Sequence, residues 1–208
     1  MKLYYAKAAS SLGAHIILET LGIQYTASAV DLYKGENRTP EFLKLNALGN
    51  VPVLILDDGS ILTENSAIFQ FLGDYKPELK LIPKGGTQER YKAIEWLGFI
   101  TSELHKSVNP IWTVDDYVSD AKPRKELKNK FIAILKDKLK VAEMRLDSKD
   151  YCLGKSFSVC DAYLLAILNS IHFLKIDISE FKNLVHVYQI IKNNPLVMKV
   201  MKLEGLAV

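Results

Sequence analysis

Cysteine is scarce in this chain: Cys152 and Cys160 are the only two among 208 residues. That excludes a disulfide framework and points to a reducing compartment. Neither has a His or Cys neighbour at metal-ligand spacing, so both read as buried or incidental and no metal site is expected. Long apolar runs are also missing. The longest, Ala162 to Leu168, falls far short of the roughly 20 residues that span a bilayer. No charge sign dominates: Lys and Arg total 27, Asp and Glu 24, for a net of +3. So small an excess is a poor footprint for an obligate nucleic-acid binder. There is no Walker A loop, no GxGxxG and no HExxH. Ahead of Lys7 the apolar stretch is about four residues, whereas a secretory h-region needs roughly 7–15. The N-terminus therefore reads as a first strand, and a cytoplasmic protein is expected.

What is present is ordinary for a globular protein: 49% hydrophobic and 25% charged residues. The length suits one large domain or two small ones. Two textures divide it. Residues 1–76 carry 6 basic and 8 acidic residues; residues 77–208 carry 21 and 16. Between them, residues 77–86 hold Pro77, Pro83, Gly85 and Gly86, the best linker candidate.

The first part alternates between element types. Lys2–Ala6 reads as a strand, Ser11–Leu21 as a helix with Leu12, Ile16 and Leu21 along one side, and Tyr25–Leu32 as a strand. Thr39 caps a short helix with Pro40 at its first position. Val51–Leu56 and Ser60–Leu62 form a hairpin across Asp57-Asp58-Gly59. Glu64–Tyr75 is a further helix. The order βαβαββα implies a mixed sheet with helices packed on it.

The second part, 87–208, reads as all helical. Thr87–Val108 has a stripe at helical spacing that is expected to stop before Asn109-Pro110. Lys122–Leu146 has one apolar stripe. Its eight basic residues between 122 and 140 fit a solvated face better than a nucleic-acid surface, since the single aromatic, Phe131, falls on the apolar side. Ser158 and Asp161 have capping-box spacing at the next helix start. Two shorter helices follow, near 181–192 and 195–203.

In order and at these spacings, the segments MKLYY, ASSLGAHI, NALGNVPVL, LTENSAI, EWLGF, SELHK and FSVCDAYLLAIL resemble the glutathione S-transferase superfamily over nearly the whole chain. The similarity is closest to the bacterial beta class. It implies a thioredoxin-like domain over 1–76 that binds glutathione, an all-helical domain over 87–208, a homodimer and a role in detoxification. It implies thiolate attack of glutathione on hydrophobic electrophiles, or glutathione-dependent peroxide reduction, with glutathione as substrate and no metal. The alternative is a glutathione-binding stress or carrier protein with little transferase activity.

Residue by residue, an X-Pro bond such as Val51-Pro52 is cis at modest cost or an ordinary trans entry to an edge strand. The resemblance implies cis, with the Val51 backbone pairing with glutathione as an added strand would. Glu64-Asn65 opens a helix, where free N–H groups favour an anion. The resemblance implies that Asn65 meets the γ-glutamyl carboxylate and Glu64 the ammonium. Simple capping by Thr63 or Asn65 is compatible with this.

Making thiolate near neutral pH from a thiol of pKa near 8.5 takes roughly 2.7 kcal/mol for a shift of about two units. A helix N-terminus and a hydroxyl can supply that order of energy. Ser10 or Ser11 is the candidate donor to the sulfur, and Tyr5 stands in reserve; both serines could instead cap the helix. Beta-class relatives usually carry Cys where this chain has Ser10, so a mixed disulfide with glutathione there is excluded. They also often carry Asn where Gly98 stands. His105 and Lys106 are candidates to bring a base and a cation near the sulfur. Lys34 is a candidate for the glycine carboxylate. Ile111, Trp112 and Tyr117 are candidates to touch the electrophile. By the same resemblance Asp161 is a folding cap.

Overall fold

The computed structural model describes residues 1–206. The first layer is a four-stranded sheet of β1 (Lys2–Tyr5), β2 (Thr26–Ala29), β3 (Val53–Ile55) and β4 (Ile61–Thr63), in the order β2-β1-β3-β4. β1 runs parallel to β2 and antiparallel to β3; β3 and β4 are antiparallel. The register sets Leu3 opposite Ala27 and Leu54, and Leu54 opposite Leu62. Side chains alternate across the sheet. Leu3 and Leu54 therefore face α1 (Ser11–Leu21) and α3 (Asn65–Tyr75), while Tyr4 and Val53 join Phe42 of α2 (Pro40–Leu45) on the other face. Thr39 caps α2 by accepting the Phe42 N–H, with Pro40 at the first turn. The strands are shorter at their ends than the apolar runs that specify them.

The second layer contains α4 (Gln88–Phe99), a π-helical segment (Ile100–His105), α5 (Lys106–Tyr117), α6 (Ala121–Arg145), α7 (Val159–Phe173), α8 (Lys182–Lys192) and α9 (Pro195–Leu203). The helix expected to stop before Asn109-Pro110 does not stop. It passes through a π turn and carries Pro110 inside α5. Proline removes only its own N–H bond and crowds the carbonyl four residues back. Packing of α5 along α6 holds the helix together across that loss.

α7 is the axis of the molecule. Every residue from Val159 to Ile171 is buried, as befits a helix apolar all round. Its start is fixed by Asp161, whose Oδ1 accepts the Cys152 N–H (2.6 Å) and whose Oδ2 accepts the N–H (2.8 Å) and hydroxyl (2.6 Å) of Ser158. α1 lies between the sheet and α7. It is buried on nearly all sides, not on the single face its leucine and isoleucine spacing suggests.

The segment 77–86 is packed, not loose. Leu81 and Ile82 are buried, and the Leu81 carbonyl accepts the Val159 N–H at 2.9 Å. Arg90 binds Asp74 with both guanidinium nitrogens (2.8 and 2.7 Å) and also the Pro83 carbonyl (3.0 Å). One hydrophobic cluster consequently runs through both layers.

The α1–α7 contact depends on Gly13. A Cβ there would stand 2.7 Å from Phe69 Cζ and 2.8 Å from the Ala162 carbonyl oxygen. Neither the backbone of α7 nor a fully buried ring can move away cheaply. Gly13→Ala is expected to lower the unfolding free energy by about 1–3 kcal/mol, against the usual gain from replacing a helical glycine. Urea melts of the two proteins measure it.

Candidate functional site

The site lies where the β1–α1 turn, the loop before β3, the β4–α3 corner and the π turn converge. Ser10 immediately precedes α1, has helical dihedrals and makes no side-chain cap bond. It is 6% exposed, and its Oγ accepts from Asn65 Nδ2 at 2.9 Å. Because that contact uses a serine lone pair, the Ser10 hydroxyl proton remains available to another acceptor. Ser11 is different. Its Oγ accepts the Ala6 N–H (3.1 Å) and donates to the Ala6 carbonyl (3.3 Å) with no exposed surface. The Ser11 proton is therefore committed to the β1–α1 turn. The simple-capping alternative describes neither serine.

Tyr5 faces elsewhere. Its ring tilts against His15 at 5.1 Å, and His15 Nδ1 lies 2.8 Å from Glu204 Oε1. Burial, with the Glu204 charge nearby, pushes the Tyr5 phenol above its ordinary range. The phenol therefore stays protonated, and its ring contact ties it to the α1–C-terminus region.

At the β4–α3 corner Glu64 has φ +67°, a conformation that costs a non-glycine residue energy and is concentrated at functional sites. Its side chain is exposed, and Asn65 begins α3 with its side chain buried. Besides donating to Ser10, Asn65 has a buried Oδ1 with no partner in the protein. The sequence offered Asn65 as a cap or a carboxylate ligand; its amide in fact holds Ser10.

The loop 46–50 is braced before Val51. Asn37 Nδ2 donates to the Gly49 carbonyl (2.7 Å), Arg38 to the Leu48 carbonyl (3.0 Å) and Asn46 Nδ2 to the Asn50 carbonyl (2.9 Å). Gly49 has φ +65°, and a Cβ there would stand 2.7 Å from the Asn37 carbonyl oxygen. The Val51–Pro52 bond is cis; Pro52 is buried and Val51 half-buried.

From the helical layer, His105 closes the π turn. Its Nδ1 lies 3.0 Å from the Tyr163 hydroxyl of α7, and burial pushes its pKa below the ordinary histidine value. Tyr163 is fully buried, tilted over Phe69 at 5.1 Å, and its phenol is pushed up to about 12, chiefly by burial. Thr101 and Asn65 lie beside that hydroxyl and moderate the rise. Ser66 Oγ and Thr101 Oγ1 are 2.8 Å apart, tying α3 to the π turn. Tyr163 and Thr101 escaped the sequence reading. The signal was a phenol on an otherwise apolar buried helix, which must find a hydrogen-bond partner.

The remaining candidates are dispersed. Lys34 is exposed and paired with Asp31 at 3.1 Å. Lys106 is exposed and, with Pro110, Tyr117, Leu127 and Phe131, lines a groove of about 420 Å³ between α5 and α6. Ile111 is 1% exposed and belongs to the core, so it does not line a cleft. Helical phase turns it inward while Trp112, one position on, stacks on Phe173 of α7 at 5.3 Å and 27°. Phe173 is half exposed and was absent from the sequence reading. Gly98 is exposed, with open space where a side chain would point. Among the described residues no His, Cys, Asp and Glu cluster could hold a metal ion.

Comparison with known proteins covers the whole chain. Residues 9–74 match the family model of the glutathione S-transferase N-terminal domain, and residues 104–202 that of the C-terminal domain. Glutathione S-transferase GstA of Escherichia coli O157:H7 is 34% identical over 207 residues, covering 99% of this chain and all of that protein. The bacterial beta class glutathione S-transferase of Sphingomonas chungbukensis superposes with a TM-score of 0.88 at 36% identity, over all of both chains. A sphingomonad glutathione S-transferase complexed with glutathione gives 0.86 at 32%, again over all of both.

The two serines have separable roles. Ser11→Ala strands the buried Ala6 N–H, while the Ala6 carbonyl keeps the Ala9 N–H at 3.1 Å, and is expected to lower stability by about 1–3 kcal/mol. Denaturant titration reads the loss directly.

Proposed function

The chain belongs to the glutathione S-transferase family, and from that membership we propose that it holds the glutathione thiolate with the Ser10 hydroxyl in place of a cysteine. Its reaction is glutathione transfer: thiolate attack on the carbon of a hydrophobic electrophile. The full-length matches to transferases favour this over a carrier without turnover.

The observation that carries the reading is the Ser10–Asn65 contact. Asn65 Nδ2 occupies a lone pair of Ser10 Oγ, which leaves the Ser10 O–H to donate to sulfur. Ser10 stands at the N-terminal end of α1, where partial positive charge favours an anion. A hydrogen bond to a charged group contributes about 1.5–3 kcal/mol, equivalent to a pKa fall of about 1–2 units in the bound thiol. The thiolate is then present at neutral pH, and the remaining acceleration comes from proximity to the electrophile.

Glutathione lies extended along the braced loop, its cysteinyl backbone pairing with Val51 beside cis-Pro52. Its γ-glutamyl end sits at the N-terminus of α3, with Glu64 toward the ammonium and the Asn65 N–H toward the carboxylate. Support comes from the free first-turn N–H groups of any helix, and from the Glu64 conformation that the corner maintains at a cost. Lys34, exposed on the loop after β2, is the cation offered to the glycine carboxylate. Trp112, stacked on Phe173, forms the apolar wall for the electrophile.

The exposed Tyr91 and Ile94, three residues apart on α4, support a homodimer. Two free, buried cysteines support a reducing, cytoplasmic setting. Among the described residues no helix is long and apolar enough to cross a membrane.

Ser10→Ala tests the reading. The pKa of bound glutathione, followed by thiolate absorbance, is expected to rise by about 1–2 units, and kcat/KM with an aryl halide at neutral pH to fall about 10–100-fold. An unchanged thiol pKa in Ser10→Ala overturns the assignment.

A further inference from the structure

A buried phenol has to place its proton, and the neighbours of Tyr163 leave it one acceptor. Thr101 Oγ1 donates to the Leu97 carbonyl at 2.8 Å and faces Ser66 Oγ at 2.8 Å, and it makes no hydrogen bond with the Tyr163 hydroxyl. Asn65 presents N–H donors: one is on Ser10, and its Oδ1 accepts from nothing in the protein, Tyr163 included. The acceptor within hydrogen-bond distance of the Tyr163 hydroxyl is His105 Nδ1, at 3.0 Å. A nitrogen that accepts carries no proton, so a neutral ring must carry its proton on Nε2.

From this proton accounting we infer that Tyr163 is a positioning residue that locks His105 as the Nε2–H tautomer, making His105 a hydrogen-bond donor to the cleft and not the base that removes the thiol proton. The inference rests on the transferase reading for its functional meaning, while the tautomer follows from the protein alone. Two further contacts support it. The imidazole stands edge-on to the Tyr163 ring at 6.0 Å and 87°, and Phe69 backs that ring at 5.1 Å, so both partners are held in orientation. His105 Nε2 has no partner in the protein and is not among the buried unpaired atoms, so it is open to solvent or to a ligand. Burial keeps the ring neutral, in agreement with the assigned state. Two hydrogen-bonded pairs, Ser10 with Asn65 and Tyr163 with His105, thus stand on the two layers of the site.

The test uses the full-length protein labelled with ¹⁵N-histidine. In the wild type, His105 is expected to show a proton on Nε2 and an unprotonated, hydrogen-bonded Nδ1. Finding the proton on Nδ1 overturns the inference without touching the Ser10 assignment. Tyr163→Phe is expected to release the lock: the two ring nitrogens shift toward each other, and kcat falls about threefold to tenfold while the KM for glutathione stays unchanged. Unchanged nitrogen shifts in Tyr163→Phe also overturn it. A pair of His105 variants separates donor from base. His105→Gln keeps an N–H near the position of Nε2 but offers no base, and is expected to retain kcat within about threefold; His105→Ala is expected to lose about tenfold. Equal losses in the two variants remove the donor role. Normal thiol ionisation in Ser10→Ala together with an Nε2–H His105 instead removes the Ser10 reading and leaves the tautomer standing.

Discussion

The close approach of α1 to α7 is the constraint on which the rest depends. It places a glycine, Gly13, against the backbone of Ala162 and the ring of Phe69, with no room for one more carbon. That contact makes two layers one body. Burial of a leucine- or isoleucine-sized side chain contributes about 1.5–3 kcal/mol, and the continuous cluster holds many of them on both sides of the seam. Asp161 acts at the same place. By satisfying the Ser158 and Cys152 N–H groups it fixes where α7 begins, and hence which residues of α7 meet α1 and α3.

Because the seam is tight, polar groups within it are held rigidly. Ser10, Asn65, Thr101, Tyr163 and His105 come from four separate stretches of chain, yet hydrogen bonds pair Ser10 with Asn65 and Tyr163 with His105 and hold Thr101 to the Leu97 carbonyl. The corner is less stable locally than it could be. Glu64 adopts positive φ, and Asn65 Oδ1 is buried without a partner. Both are costs that the surrounding core over-determines, and both lie where a substrate is expected to bind. The contrast between adjacent serines follows from the same geometry. Ser11 points back into the turn that ends β1, and Ser10 points across to α3.

Much of this was legible in the residues. Periodicity, with the Thr39-Pro40 and Asp-Gly signals, located the four strands and the three α-helices of the first layer, whereas the 3-10 turn Glu36–Arg38 left no such signal. The Ser158–Asp161 spacing gave the cap of α7, and Thr39-Pro40 gave the start of α2. The ordered segments from MKLYY to FSVCDAYLLAIL gave the family. Local rules failed where packing overrode them. Pro110 was read as a stop, but α5 continues because α6 supports it. Ile111 was read as a cleft residue because one-position phase errors cannot be detected from a stripe alone.

The sequence by itself determined the classes of element, their order, the absence of a cysteine at residue 10 and the supply of hydroxyl, amide and imidazole groups from which a site could be built. Those follow from local sterics, periodicity and side-chain chemistry, which act over a few residues. Only the tertiary structure decided which hydroxyl is free and which is spent, that Asn65 turns to Ser10, and that Tyr163 meets His105. Those pairings join residues 55 and 58 positions apart. A hydrogen bond needs its two atoms within about 3 Å and aligned, a condition set by how the helices pack and carried by no local pattern.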